Sequence, residues 1–165
     1  MTDELLTPRL RMRRATMNDL PAVHAMLTDV PAMRYWSSLP HTDLAQTETW
    51  LQSMVDANPA ESDDYLLEKD GEVIGKLGCW KLPEIGFLIR SNQWGQGLAG
   101  EAMTAFLAHR RAIGSPPQIV ADVDPRNAAS LALLSRHGFV ETGRAAGTWQ
   151  VGDELCDSIY LALDF

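Results

Sequence analysis

The most informative stretch of this chain reads Trp94-Gly95-Gln96-Gly97-Leu98-Ala99-Gly100-Glu101-Ala102. It follows a strand-like run at residues 84–89 and opens a segment whose apolar residues recur at helical spacing. Small residues allow the backbone to come close to a bulky anion, and the free N–H groups at the start of a helix favour such an anion. We therefore predict a pyrophosphate-binding turn between a strand and a helix.

Around this turn, apolar periodicity and turn residues predict the order strand, two helices, three strands, helix, strand, helix, two strands. The strands are expected at residues 10–14, 65–69, 73–81, 84–89, 118–123, 139–142 and 155–163. The helices are expected at about residues 19–29, 43–58, 97–113 and 127–137. Asp70-Gly71 between two apolar runs predicts a hairpin. Antiparallel strands combined with a crossover helix indicate an α+β fold.

The composition fits a single domain over residues 1–165, with 45% hydrophobic and 22% charged residues. The formal net charge of −8 argues against a nucleic-acid partner, because phosphate binding needs clustered Lys and Arg. It is compatible with a cationic acceptor, and more readily with nothing beyond a contribution to solubility. Only two cysteines occur, no metal-ligand spacing is visible, and no apolar run approaches membrane-spanning length. We expect a cytoplasmic protein with no metal and no membrane partner.

One alternative needs weighing, because residues 95–100 also match the dinucleotide fingerprint G-x-G-x-x-G, with Asp122 downstream. That fingerprint normally opens a βαβ series, whereas here it follows a hairpin and two helices. The chain also lacks room for two mononucleotide-binding halves. The sequence therefore disfavours a dinucleotide oxidoreductase.

The same stretch resembles the acetyl-CoA pyrophosphate loop of the GNAT superfamily of N-acetyltransferases. Within the superfamily, the W-G-x-G-x-A form is similar to the branch of the ribosomal-protein N-terminal acetyltransferases; Trp94 stands where Gln or Arg is usual. Two further blocks support the resemblance. They are Thr7-Pro8-Arg9-Leu10-Arg11-Met12-Arg13 and Asn127-Ala128-Ala129-Ser130, the latter leading to Gly138-Phe139. The resemblance implies the GNAT (acyl-CoA N-acyltransferase) fold, a mixed sheet of about six to seven strands flanked by about four helices.

The resemblance also implies a set of acetyl-CoA-binding residues. The pantetheine arm would pair with the backbone of the third strand of the hairpin region, the backbone of the glycine-rich turn would hold the pyrophosphate, and the side chain at the start of the last helix would contact the arm. The strand residues are Phe87, Leu88 and Ile89. The turn residues are Trp94, Gly95, Gln96, Gly97, Leu98, Ala99 and Gly100, and the residue at the start of the last helix is Asn127. No metal is implied.

The reaction needs a base for the acceptor amine and an acid or other stabiliser for the departing thiolate. We assign the base to Glu84, which precedes an apolar run that would raise its pKa. Many family members use a tyrosine as the acid, but Leu134 stands at that position, so Ser130 is the next candidate. For the acceptor we expect Tyr35, Trp36 and Ser37 in an aromatic-rich loop, with Trp149 closing the far side.

The sequence thus predicts direct transfer of an acetyl group to a primary amine within a ternary complex. The acceptor, a protein N-terminus or a small molecule, stays open, as do the acyl chain preference and the choice between monomer and homodimer. The alternative from another class is a non-catalytic module that binds acyl-CoA as a sensor or interaction domain.

Overall fold

The computed structural model describes residues 3–165, which form one mixed eight-stranded sheet with four α-helices. The strands are β1 (Glu4–Leu6), β2 (Arg11–Arg13), β3 (Asp63–Lys69), β4 (Glu72–Lys81), β5 (Glu84–Ile89), β6 (Gln118–Val123), β7 (Val140–Val151) and β8 (Glu154–Asp164). The helices are α1 (Leu20–Leu27), α2 (Leu44–Val55), α3 (Leu98–Ile113) and α4 (Ala128–Arg136). The strand order is β1-β2-β3-β4-β5-β6-β8-β7. The predicted α+β class is confirmed.

The helices begin and end at residues that the sequence marks. Asp43 caps α2, where its side chain accepts a hydrogen bond from the backbone N–H of Gln46 at 2.8 Å. Gly114 ends α3 in the left-handed conformation, with φ of 73°. None of the helices within residues 3–165 is long and apolar enough to cross a bilayer.

The sheet separates two apolar layers. On one face, α3 packs against β3, β4 and β6 through residues such as Phe106, Met103 and Ile119. On the other face, α1 and α2 pack against β3, β4 and β5 through Val23 and Leu51. Along β3, Tyr65 and Leu67 lie in the first layer and Leu66 in the second, as the period of two requires.

The sheet opens between β5 and β6. Every other neighbouring pair is antiparallel and shares three or more Cα pairs, whereas β5 and β6 are parallel and share only the pair Glu84–Val120. Beyond Glu84 the two strands diverge, which leaves one edge of β5 unpaired within the described chain. An open strand edge is what the expected pairing of the pantetheine arm with this strand requires.

Two strand predictions were wrong. The short strand β1 was not predicted, because three residues are too few to show an alternating pattern. The strand predicted at 139–142 instead extends over Val140–Val151, and Gly143 and Gly147 lie within it at irregularities in the pairing with β8. A bulge accommodates an extra residue without ending the strand.

Candidate active site

A cavity of about 900 Å³ lies on the face of the sheet that carries α1 and α2, beside the split between β5 and β6. Its walls are formed by residues 33–40 between α1 and α2, the end of α2, the β7–β8 hairpin, and the strands β4, β5 and β6. Most of the predicted acceptor and catalytic residues meet here, although they come from distant parts of the chain.

Glu84 lines this cavity where the split begins. It is the first residue of β5 and pairs with Val120 of β6. Asp122 lies two residues beyond Val120 on β6 and also lines the cavity. Burial raises the pKa of Glu84, and the carboxylate of Asp122 adds to the rise against a smaller lowering by Lys81. A carboxylate with a raised pKa is better matched to accepting a proton near neutral pH.

The predicted acceptor residues Tyr35, Trp36 and Ser37 line the same cavity. Trp149 of β7 lies there too, and its indole Nε1 donates a hydrogen bond to Oδ2 of Asp122 at 2.9 Å. The structure therefore brings the aromatic loop and the far-side tryptophan to one site together with the predicted base.

The glycine-rich turn presents a row of free donors. Gly95 and Gly97 adopt left-handed conformations, with φ of 77° and 75°, which favour glycine. From Gly95 to Gly100, no backbone N–H donates to another residue within 3–165; the next N–H, that of Glu101, donates to the Gly97 carbonyl at 3.1 Å. These groups lie at the positive end of α3, so they can receive an anion.

Trp94 differs from the rest of the predicted pyrophosphate loop. Its backbone N–H donates to the carbonyl of Ser91 at 3.3 Å, and its indole Nε1 donates to the carbonyl of Ile89 at 3.0 Å. Trp94 thus fixes the turn to the end of β5, and its backbone N–H is not free to bind an anion.

The three predicted residues on β5 face in two directions. The N–H of Arg90 donates to the carbonyl of Ile74 on β4 at 2.8 Å. Because backbone groups alternate in an antiparallel ladder, Leu88 also directs its groups toward β4, whereas Phe87 and Ile89 direct theirs toward the split. Phe87 and Ile89 are therefore the residues whose backbone can pair with an extended chain lying in the split.

A brace that the sequence analysis missed supports the glycine turn. Arg9 donates from Nη1 to the carbonyl of Gln96 at 2.8 Å and pairs through Nε with Oε1 of Glu101 at 2.9 Å, while Thr7 Oγ1 donates to Oε2 of Glu101 at 2.6 Å. Burial alone would raise the pKa of Glu101, but the bonds from Thr7 and Arg9 lower it. The motif around Thr7 had served only as a family signature.

Asn127 and Ser130 lie at the start of α4, and neither lines the large cavity. Asn127 is the N-cap, and its Oδ1 accepts from the N–H of Ser130 at 3.2 Å. Gly100 of the turn lies against this helix, since a Cβ there would be 3.7 Å from Leu133. Leu134 is fully buried in the core. The roles of Asn127 and Ser130 stay predictions.

The mouth of the cavity is held by ion pairs that were also not predicted. Arg126 Nη2 lies 2.7 Å from Oδ2 of Asp124 and 2.8 Å from Oε1 of Glu154, and Arg34 lies 3.5 Å from the same glutamate oxygen. The ring of Tyr35 is contacted by both guanidinium groups, at 4.8 Å for Arg34 and 5.4 Å for Arg126. This clamp joins the α1–α2 segment to the β7–β8 hairpin.

Known proteins share both the sequence pattern and this architecture. An L-methionine sulfoximine/L-methionine sulfone acetyltransferase from Pseudomonas paraeruginosa is 29% identical over 167 residues, covering 93% of each chain. A Salmonella typhimurium acetyltransferase that modifies the N-terminal serine of a 50S ribosomal subunit protein is 20% identical, with a TM-score of 0.85 over 96% of each chain. A Vibrio cholerae spermidine N-acetyltransferase solved with CoA and spermine is 19% identical, with a TM-score of 0.81 over 94% of this chain and 95% of that one.

A split between two strands, a turn of free N–H groups beside it and an adjacent cavity are the features that the resemblance to acyltransferases implies. Residues 9–140 match the acetyltransferase (GNAT) domain, and the chain belongs to the GNAT family. It is an acetyl-CoA-dependent N-acetyltransferase.

Proposed function

We propose that this protein transfers the acetyl group of acetyl-CoA to a primary amine bound in the 900 Å³ cavity, by direct attack within a ternary complex. The observation that carries the proposal is the position of Glu84. It pairs with Val120 where the split begins, and it lines the cavity. The reacting groups of two substrates would meet there.

The chain's own groups suit acetyl-CoA, which supplies the activated acetyl group as a thioester. The free N–H groups from Gly95 to Gly100 would bind the pyrophosphate. The open N–H and carbonyl of Phe87 and the open N–H of Ile89 would pair with the pantetheine arm as an added strand does, while the Ile89 carbonyl already accepts from the Trp94 indole. Asn127 would approach the same arm from the start of α4.

Glu84 is the proposed base, acting directly or through one water. Its raised pKa lets it accept the proton that the acceptor ammonium loses, which frees the amine lone pair to attack the acetyl carbon. As the C–N bond forms, the C–S bond breaks and the thiolate leaves. Ser130 is the proposed donor of a proton or hydrogen bond to that sulfur. No covalent enzyme intermediate is needed.

The test measures free thiol released when the protein is mixed with acetyl-CoA and a panel of primary amines, together with calorimetric titration by acetyl-CoA, NADH and NADPH. We expect acetyl-CoA alone to bind and thiol release to depend on the amine. Binding of acetyl-CoA without amine-dependent release would indicate a non-catalytic acyl-CoA module instead. Absence of acetyl-CoA binding would overturn the function altogether.

A further inference from the structure

The charged groups of the acceptor cavity are strongly unequal. Six carboxylates line it, against two cations, Arg34 and Lys76. Both cations are already paired: Lys76 Nζ lies 2.9 Å from Oδ2 of Asp64 with its side chain only 2% exposed, and Arg34 lies 3.5 Å from Glu154. Among the described residues that line this cavity, none is left to neutralise a substrate carboxylate.

Several of the carboxylates, in contrast, have no cation partner within residues 3–165. Asp122 accepts a hydrogen bond from the indole of Trp149 at 2.9 Å, and Asp157 accepts one from the backbone of Gly147 at 2.8 Å. Glu84 likewise takes part in no ion pair within the described part of the chain. An ammonium group entering between Glu84 and Asp122 would supply the missing positive charge.

The rim of the cavity is apolar and exposed. Five large apolar residues line it and are partly exposed, with exposed fractions of 66% for Val30, 57% for Leu39, 58% for Trp80, 40% for Trp149 and 36% for Tyr35. Large apolar side chains that are exposed together mark binding surfaces. Aromatic rings of this kind can cover an apolar ligand body that extends from Glu84 and Asp122 to the mouth of the cavity.

From this cavity we infer that the acceptor is a primary amine carried on an apolar or aromatic body, with no carboxylate beside the amine. The inference rests on the proposed function and narrows its acceptor. A free amino acid would bring its carboxylate against Glu84 and Asp122, and no described residue lining the cavity has an unpaired cation to receive it. A polyamine would satisfy the acids but would leave the apolar rim uncovered.

Four amines separate these features: 2-phenylethylamine, phenylalanine, ethylamine and spermidine. Phenylalanine adds one carboxylate to 2-phenylethylamine, and ethylamine lacks the ring. We expect kcat/KM for 2-phenylethylamine, measured by thiol release, to exceed that of each of the others by at least about tenfold. A tenfold ratio corresponds to about 1.4 kcal/mol.

The variant Trp80→Ala tests the rim, and Val140→Ala is its matched control. Val140 is 63% exposed on β7 and lies outside the cavity. Trp80→Ala should raise KM for 2-phenylethylamine severalfold, leave its kcat near the unmodified value and leave ethylamine kinetics unchanged. Val140→Ala should change neither substrate.

The outcomes divide clearly. Preference for phenylalanine or spermidine, or equal rates for ethylamine and 2-phenylethylamine, would overturn the inference while acetyl transfer itself stood. The same holds if Trp80→Ala affects both amines equally. Acetyl-CoA binding with no thiol release from any amine would remove the inference together with the proposed function.

Discussion

Asp63 and Glu84 each begin a central strand, β3 and β5, yet their surroundings are opposite. Asp63 is fully buried, and its oxygens lie 2.8 Å from Arg14 Nη2, 2.8 Å from Arg110 Nη1 and 3.0 Å from His109 Nε2. Burial alone would raise the pKa of Asp63, but the bonds from the two arginines and the charge of His109 lower it. Glu84 has no such partners among the described residues, and burial raises its pKa.

The difference separates two uses of a carboxylate. Removing a paired, buried acid strands the cations that it neutralises, so its effect falls on folding. An acid held without a cation in a cavity keeps its affinity for a proton, so its effect falls on the reaction. The predictions below test whether folding and catalysis divide in this way.

The largest expected effect is on stability. Asp63→Asn would leave Arg14 and Arg110 without their shared countercharge in the core, and we expect the free energy of unfolding to fall by about 3–5 kcal/mol. Equilibrium urea unfolding measures it. The control is Asp70→Asn, because Asp70 is 88% exposed in its ion pair with Lys69 and such pairs contribute little. Equal losses in the two variants would contradict the assignment of Asp63 as a folding residue.

The lowered pKa of Asp63 sets the direction of its pH dependence. Its ion pairs contribute stability above the pKa of an unfolded aspartate, about 3.9. That contribution is lost as the pH falls through the lower pKa of the folded state. Between pH 7 and acid conditions, the stability difference between the natural protein and Asp63→Asn should therefore shrink. A difference that stays constant over this range would be inconsistent with the pairing.

Glu84→Gln should behave in the opposite manner. We expect kcat to fall by about 10²-fold, the lower part of the range for a positioned base. Because ionising a group with a raised pKa costs stability at neutral pH, the variant should be as stable as the natural protein or slightly more so. Steady-state thiol release and urea unfolding measure the two effects. Unchanged kcat would remove Glu84 from the mechanism.

The pH profile sharpens this prediction. In the natural protein, kcat/KM should rise with pH through the raised pKa of Glu84, at a higher pH than an ordinary glutamate would give. Asp122→Asn removes the neighbouring charge that contributes to the rise, so that limb should move to lower pH. In Glu84→Gln the limb should disappear, leaving only the titration of the acceptor amine. A limb that Asp122→Asn leaves in place would exclude this coupling.

What the sequence could predict depended on how local each signal is. The turn at Gly95–Gly100 and the helix after it were readable because glycine spacing and apolar periodicity lie within one segment. The proposal of Glu84 as the base followed from its place at the start of a strand, but its proximity to Asp122 did not, since that depends on the pairing of β5 with β6.

Long-range polar contacts were the part that sequence could not supply. Arg9 and Glu101 are 92 residues apart, and Arg126 and Glu154 are 28 apart, so neither pair leaves a pattern in a single chain. Which backbone groups of β5 pair with β4 and which stay open likewise depends on the register between these two strands, and a single chain carries no pattern for that register.

The smallest expected effect concerns Glu101, a paired acid beside the glycine-rich turn. Arg9→Met would remove the side-chain bonds to Glu101 and to the Gln96 carbonyl, leaving only the bond from its backbone N–H to Glu101, and the glycine turn would lose part of its support. We expect the Kd for acetyl-CoA to rise about tenfold, an effect of about 1.4 kcal/mol. KM for the amine and the free energy of unfolding should change little. Calorimetric titration with acetyl-CoA measures the affinity.

Arg11→Met is the matched control for this experiment, because Arg11 lies two residues away and pairs with Glu4 and Glu68 instead of the turn. If both variants bind acetyl-CoA as tightly as the natural protein, the turn is positioned by its own backbone and the brace is dispensable. If Arg9→Met alone weakens binding, Glu101 belongs with Asp63 among the acids whose pairing shapes the chain, although the structure it shapes is the cosubstrate site. In that case, whether a carboxylate supports the structure or takes part in the reaction depends on whether it has a cation partner, not on how far it lies from the active site.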